Sequence, residues 1–223
     1  MRKNDSWKEN FSPEVIKRLN LYLRHLRELE SKGVRLVSSM EMSEFSGVSP
    51  VLFRKDLSYF GEFGKRGVGY NLLHLKEKLE QILGFSGDTE IALVGIGKLG
   101  SALLDYPGFS GYNLKITAAF DSDPAKIGRT VSGIRVADIT GLQKTISLQK
   151  IKLGIICVPS VHAQTVAEKL VVSGIKAILN FAPVKLKLPA DVFVSSVDMA
   201  VELRSLLYFI DNQNQDEIRE IEE

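Results

Sequence analysis

Six residues constrain this chain more than any others. Gly95-Ile-Gly-Lys-Leu-Gly100 follows directly on the apolar run Glu90-Ile-Ala-Leu-Val94 and runs into Ala102-Leu-Leu104. A G-x-G-x-x-G pattern between a strand and a helix is the context in which that pattern carries meaning. Gly95 permits a tight turn, Gly97 lets the backbone approach a pyrophosphate, and Gly100 allows helix and strand to pack closely. Ile96, Lys98 and Leu99 complete the loop, and the first amides and dipole of the helix stabilise phosphate charge. A second strand, Leu114–Phe120, ends in Asp121, 21 residues after Gly100. An acid there accepts hydrogen bonds from a ribose 2′-hydroxyl. Asp123 adds negative charge and no arginine follows directly, so a 2′-phosphate is repelled and NAD(H) is favoured over NADP(H). The pattern alone leaves open a glycine turn with a structural aspartate, or another adenine nucleotide such as coenzyme A.

The rest of this half alternates strands with helices. Ile134-Arg-Val136 reads as a short edge element, and Leu153–Val158 as a strand stopped by Pro159 and followed by a helix through about Ser173. Lys176–Leu179 and Val192–Ser195 complete the set. Such alternation predicts an α/β fold with a mostly parallel, doubly wound Rossmann sheet. Catalytic equipment is not evident beside the cofactor site. His162 reads as a helix N-terminal residue, Cys157 as strand core, and His25 and His74 as members of amphipathic helices. No metal-ligand spacing occurs, and the sheet region ends near residue 197, leaving one helix and a tail where dehydrogenases usually need a substrate domain. The expectation is a protein that is not an enzyme.

Residues 12–84 read differently. Ser12-Pro13 caps a helix carrying Val15, Ile16, Leu19, Tyr22, Leu23, Leu26 and Leu29 at helical spacing, ended by Gly33. Ser38 and Glu41 have capping-box spacing for a short second helix. After the Ser46-Gly-Val turn, Ser49-Pro50 starts a third helix with Val51, Leu52, Leu57 and Phe60 turned inward. That order outlines a helix-turn-helix. Gly61–Tyr70 then reads as a glycine-rich hairpin with Lys65 and Arg66 at its centre, and a fourth helix over about Leu72–Leu83 closes the domain at Gly84. Arg54 and Lys55 lie where a recognition helix meets base edges and phosphates. Lys65 and Arg66 reach backbone or minor groove, and Ser49 and Ser58 are candidate phosphate donors. The alternative is a solvated helix face, partly neutralised by Asp56 and Glu62. The apolar set is small, which predicts packing on the rest of the molecule.

Charge follows the same division. Residues 1–84 carry 15 Lys and Arg against 11 Asp and Glu, whereas the remainder carries 14 against 16. A basic module on an acidic one suits a polyanion. With 44% hydrophobic and 25% charged residues, disordered and low-complexity classes are excluded. No apolar run spans a membrane, no secretory signal is read at the N-terminus, and the single cysteine forms no internal disulfide, so the cytoplasm is expected. A last helix over about Asp198–Ile210 carries Met199, Leu203, Leu206, Leu207 and Ile210 on one stripe, with Ala200, Val201 and Phe209 beyond it. Its own sheet covers one face on this reading, and the other needs a partner subunit or the N-terminal domain.

Arg54–Tyr70, together with Gly95–Gly100, Phe120-Asp-Ser-Asp-Pro124, Val158-Pro159, Ala163-Gln164 and Leu179-Asn-Phe-Ala-Pro183, resembles the redox-sensing transcriptional repressor (Rex) family over about residues 12–211. The resemblance implies a winged helix-turn-helix domain at 1–84, a Rossmann domain at 85–197, a C-terminal helix at 198–211 exchanged between the subunits of a homodimer, and an acidic tail at 212–223. It implies repression of respiratory and fermentative genes through operator double-stranded DNA, held with NAD+ and released by NADH as the dimer closes. Arg54 and Lys55 match DNA-reading positions, Lys65 and Arg66 the wing, and Gly95, Gly97, Gly100 and Asp121 the cofactor cradle, with Val158 and Pro159 beside it. Arg24, Tyr106 and Asp198 match a switch between cofactor pocket, partner helix and DNA-binding domain. Met199 stands where a phenylalanine is common beside the nicotinamide. Two other classes remain open: a small NAD-dependent oxidoreductase, and a nucleotide-binding module whose basic helices contact protein.

Overall fold

The structure is a computed structural model that describes residues 12–64, 67–84, 87–208 and 210. The readings placed on Lys65, Arg66, Phe209 and the acidic tail lie outside those residues. The chain divides into two compact units, Met1–Asp88 with Gly111–Asn113, and Thr89–Ser110 with Leu114–Glu223.

The first unit begins with α1 (Pro13–Ser31), which has Ser12 as N-cap and Pro in its first turn and buries Val15, Leu19, Tyr22, Leu23 and Leu26. In α2 (Ser39–Ser46) both halves of the Ser38/Glu41 capping box are formed, and Gly47 ends the helix in the left-handed conformation. α3 (Pro50–Ser58) is capped by the Ser49 hydroxyl, which accepts from the Leu52 amide. The inward face of α3 departs from the sequence reading. Phe53, Asp56 and Leu57 are buried, whereas Val51 is 67% exposed. Phe53 stands edge-on to Tyr22 at 4.8 Å and to Tyr70 at 5.5 Å, centring a core that also takes Leu72, Leu75 and Leu79 from α4 (Leu72–Leu83). This core is the unit's own.

Strand pairing here is also not the predicted one. No ladder forms within Gly61–Tyr70 among the described residues. Instead β1 (Leu36–Val37) pairs antiparallel with β2 (Tyr70–Asn71). Gly69 makes this possible. Its φ is +91°, and a Cβ there would lie 2.8 Å from the Val37 carbonyl oxygen, so the two chains meet only because that residue has no side chain.

The second unit is a seven-stranded sheet of β3 (Thr89–Val94), β4 (Leu114–Asp121), β5 (Thr130–Val131), β6 (Ile134–Asp138), β7 (Leu153–Ile156), β8 (Ala177–Asn180) and β9 (Phe193–Ser196). Their order is β5-β6-β4-β3-β7-β8-β9. Every pairing is parallel except β5 on β6. Without β5, this is the strand order of two βαβ halves meeting at a central pair, here β3 and β7. The Ile134–Val136 segment is therefore not an edge, since β6 lies between β4 and β5. Helices α5 (Lys98–Leu104), α6 (Leu142–Gln149) and α7 (Ser160–Val172) make the crossovers. One apolar cluster gathers Phe120, Leu142, Ile146, Ile156 and Leu170, and a second gathers Leu93, Ile96, Ile116 and Ile155. The sheet is thus buried on both faces, as a parallel sheet requires.

The C-terminal helix covers 199–208. Its described residues are all exposed, contrary to the expectation that the sheet covers one face. Met199, Val201, Leu203, Leu206 and Leu207 are all exposed.

Candidate functional site

β3 leads into α5 and β7 into α7, and the strand order reverses at this pair. Ligands of open α/β sheets bind in the crevice at such a point. Here a cavity of about 480 Å³ opens, lined among others by Gly97, Lys98, Asp121, Lys126, Val158 and Pro159. That volume lies within the range of small-molecule sites.

The three loop glycines are required for different reasons. A Cβ on Gly95, whose φ is +98°, would lie 2.5 Å from the Cys157 carbonyl oxygen, and one on Gly100 would lie 2.0 Å from that of Gly95. Protein atoms fill both places. Gly97 has φ −85°, and nothing stands within 4 Å of the position a Cβ would take. Its missing side chain leaves empty space on the cavity side, which suits a bulky anionic group approaching the backbone. The residues present therefore fit a dinucleotide pyrophosphate. Ile96 and Gly100 stand behind the cavity, both buried. Lys98 is exposed and Leu99 half-buried at its rim. α5 begins at Lys98, with Gly97 as its N-cap.

Asp121 is the hinge of the site. It is 7% exposed. Its Oδ2 accepts from the Ile96 amide at 2.7 Å and from Lys126 Nζ at 3.1 Å, and its Oδ1 accepts from the Asp123 amide at 2.9 Å. Burial pushes its carboxyl up, but the two amides and the ammonium outweigh burial and hold it below the usual aspartate range. The carboxylate that the sequence assigns to a ribose is thus also the strut beneath the glycine loop. The sequence offers no arginine directly after the acids, and the cation that stands there is Lys126. The available signal was a lysine five residues past Asp121 in a turn opened by Asp123-Pro124. Phe181 and Cys157 also line the cavity. Cys157 follows β7 rather than lying within it, and burial pushes its thiol up to about 12. His162 lies in the first turn of α7, exposed at the cavity edge. Buried Asn180 ties off the turn after β8, bonding Ala182 and Val184.

In the first unit α3 turns Arg54, Lys55 and Ser58 outward. Arg54 donates to the Ser39 hydroxyl at 2.7 Å. The exposed Ser58 hydroxyl donates to the Lys55 carbonyl at 2.7 Å. Ser49 is engaged as the cap. Asp56 does not neutralise a solvated face. It is 1% exposed and takes a bidentate pair from Arg18 at 2.6 and 2.7 Å and the Tyr22 hydroxyl at 2.8 Å. Helix α3 is therefore clamped to α1 with its basic face free for a polyanion.

The residues assigned to a switch have local partners. The Arg24 guanidinium lies 5.6 Å above the Phe45 ring. Tyr106 is 54% exposed and edge-on to Phe109 at 5.1 Å. Asp198 caps the C-terminal helix, its Oδ1 accepting from the Ala200 and Val201 amides. No group of potential metal ligands occurs among the described residues, and no helix there is long and apolar enough to cross a membrane.

A basic helix on a helix-turn-helix frame and a dinucleotide-type cleft on a Rossmann sheet, carried by one chain, define the class of ligand-responsive DNA-binding regulators. Residues 86–184 match the family model described as CoA binding domain, and residues 10–58 match that of a putative DNA-binding protein N-terminus. The redox-sensing transcriptional repressor Rex of Desulfitobacterium hafniense is 48% identical over 88% of this chain and 94% of its own. That of Chloroflexus aggregans is 44% identical over 90% and 95%. The crystal structure of RSP in complex with β-NAD+ and operator DNA superposes with a TM-score of 0.85 at 36% identity, covering 93% of this chain and 95% of that one. RSP in complex with β-NADH gives 0.82 at 34%, covering 93% and 98%. The chain belongs to the Rex family of redox-sensing transcriptional repressors.

Proposed function

We infer that this chain is a repressor whose hold on operator DNA is set by the NADH/NAD+ ratio. NADH closes its homodimer and releases the operator. The observation that carries this reading is the pairing on one chain of the open space above Gly97 with the outward Arg54 and Lys55 of a clamped helix. RSP, similar along nearly the whole length, was crystallised with both forms of the coenzyme and with operator DNA. The match to a CoA-binding description covers the sheet domain only, whereas the curated relatives match across both units.

Each residue then has a task. Gly97 admits the pyrophosphate, with the amides of Lys98 and Leu99 beside it. Asp121 accepts from the ribose while bracing the loop through Ile96. Val158 and Pro159 wall the cleft. Arg54 and Lys55 engage bases and phosphates, with Ser49 at the helix start and Lys65 and Arg66 as the wing. Bound nicotinamide supplies a ring that is cationic when oxidised and neutral when reduced. Asp198, Tyr106 and Arg24 are the proposed residues that respond to that difference. Exposed Met199, Val201, Leu203, Leu206 and Leu207 support a C-terminal helix exchanged between subunits, for in water that much apolar surface calls for a partner. Dimeric helix-turn-helix proteins read half-sites about 34–36 Å apart, so a small rotation suffices to release DNA. Coupling of ~1–3 kcal/mol is typical, and operator DNA must weaken NADH binding by the same factor. The cytoplasm, where this ratio varies, is the proposed location.

The test is duplex operator binding at fixed salt with NAD+ and NADH compared side by side. Equal affinity in both overturns the reading. Lys55→Glu supplies the control: its operator affinity falls roughly tenfold or more, with a shallower salt slope, while NADH titration is unchanged.

A further inference from the structure

Lys126 lies in the turn between β4 and β5, and its ammonium is shared by two acids, 3.1 Å from Asp121 Oδ2 and 3.7 Å from Asp123 Oδ2. Its side chain is 35% exposed and borders the cavity. A carboxylate offers about four acceptor positions. Three of those on Asp121 are taken by described residues, the Ile96 amide and Lys126 on Oδ2 and the Asp123 amide on Oδ1, which leaves one for a ribose hydroxyl. Asp121 and Asp123 alone repel a 2′-phosphate, and the ammonium between them offsets part of that repulsion. With Lys126 the group carries one net negative charge, and without it two. A phosphomonoester adds nearly two more on the same spot.

We propose that Lys126 sets how strongly the site discriminates between NAD(H) and NADP(H), by sharing its positive charge between Asp121 and Asp123 at the ribose end of the cavity. The proposal rests on the dinucleotide reading above. Lys126 acts on a ribose through Asp121, and on a 2′-phosphate directly. A phosphate gains its attraction only by drawing the ammonium away from Asp121, so NADH remains preferred in the native chain. Loss of the ammonium leaves the repulsion unopposed and deepens that preference.

The experiment is fluorescence titration of the full chain with NADH and with NADPH, using 2′-AMP as a competitor of NADH for a second reading. Lys126→Gln lowers NADPH and 2′-AMP affinity roughly tenfold more than NADH affinity at low ionic strength, and salt narrows the gap. Lys126→Arg restores the native ratio. Asp123→Asn moves the ratio the opposite way and keeps the proposal testable should the lysine variant fold poorly. If Lys126→Gln weakens both coenzymes equally, the lysine only braces the loop and the proposal is overturned. An unchanged ratio, or one shifted toward NADPH, overturns it as well. A native chain that binds neither coenzyme overturns the dinucleotide reading itself, which the wild-type titration shows before any variant is compared.

Discussion

Asp56 and Asp121 are buried acids, one in each unit, at 1% and 7% exposure. Asp56 is enclosed by side chains. Arg18 grips it with two nitrogens, Tyr22 adds a hydroxyl, and all three lie between α1 and α3. Burial and this carboxylate push the Tyr22 phenol above its usual range. Asp121 is held mainly by backbone, with its remaining acceptor at the edge of a cavity. Depth of burial therefore does not separate a structural acid from a ligand-binding one. What separates them is where the acceptor position left over faces: on Asp121 a cavity, on Asp56 the packed interior.

Four substitutions or perturbations press on that contrast. The largest effect falls on Asp56. Asp56→Ala leaves the Tyr22 hydroxyl buried and Arg18 without its partner, costing about 3–5 kcal/mol in urea unfolding. Operator binding falls with it, while NADH titration of the folded protein stays near native. A small cost with DNA binding intact would mean that the clamp does not position α3. Next comes Gly97→Val, whose backbone angles a valine tolerates and whose side chain meets no protein atom. It should unfold like the native chain and lose NADH affinity by about 100-fold or more (some 2.7 kcal/mol). Asp121→Asn is milder. An amide still accepts on one side but opposes Ile96 and Lys126 on the other, so stability drops by about 1–3 kcal/mol and NADH weakens, whereas coenzyme-free DNA binding holds. Acid is the gentlest probe. Because the folded Asp121 carboxyl is lowered, its stabilisation is complete above the ordinary aspartate value of about 3.9 and is lost as pH falls through the folded one. NADH binding should therefore persist to pH values below those at which free aspartate protonates. Its loss well above that point would break the assignment.

Much of this was readable beforehand because it rests on local chemistry. Leu72–Leu83 forms as read, since an asparagine cap, an amphipathic stripe and a terminal glycine all agree. The glycine loop falls between strand and helix as its spacing requires. The misses are long-range. Nothing in Leu36-Val37 announces that it will pair with Tyr70-Asn71, since two-residue strands have no periodicity. Asp56 looks solvated from its neighbours Arg54 and Lys55, because its partners are 34 and 38 residues away. Lys126 was hidden by a turn that folds it back on Asp121. The sequence predicts partial cover of the C-terminal helix by its own sheet, because it reveals how apolar a helix is but not what lies near it.

The single thiol of the chain has a consequence for what "redox" means here. Cys157 sits after β7, half-buried, with burial pushing it up to about 12, so at neutral pH almost none of it is the nucleophilic thiolate that peroxides attack. Oxidative stress therefore has little chemistry to perform on this sulfur. The metabolic state of the cell reaches the protein as a reversible occupant of the cleft rather than through this thiol.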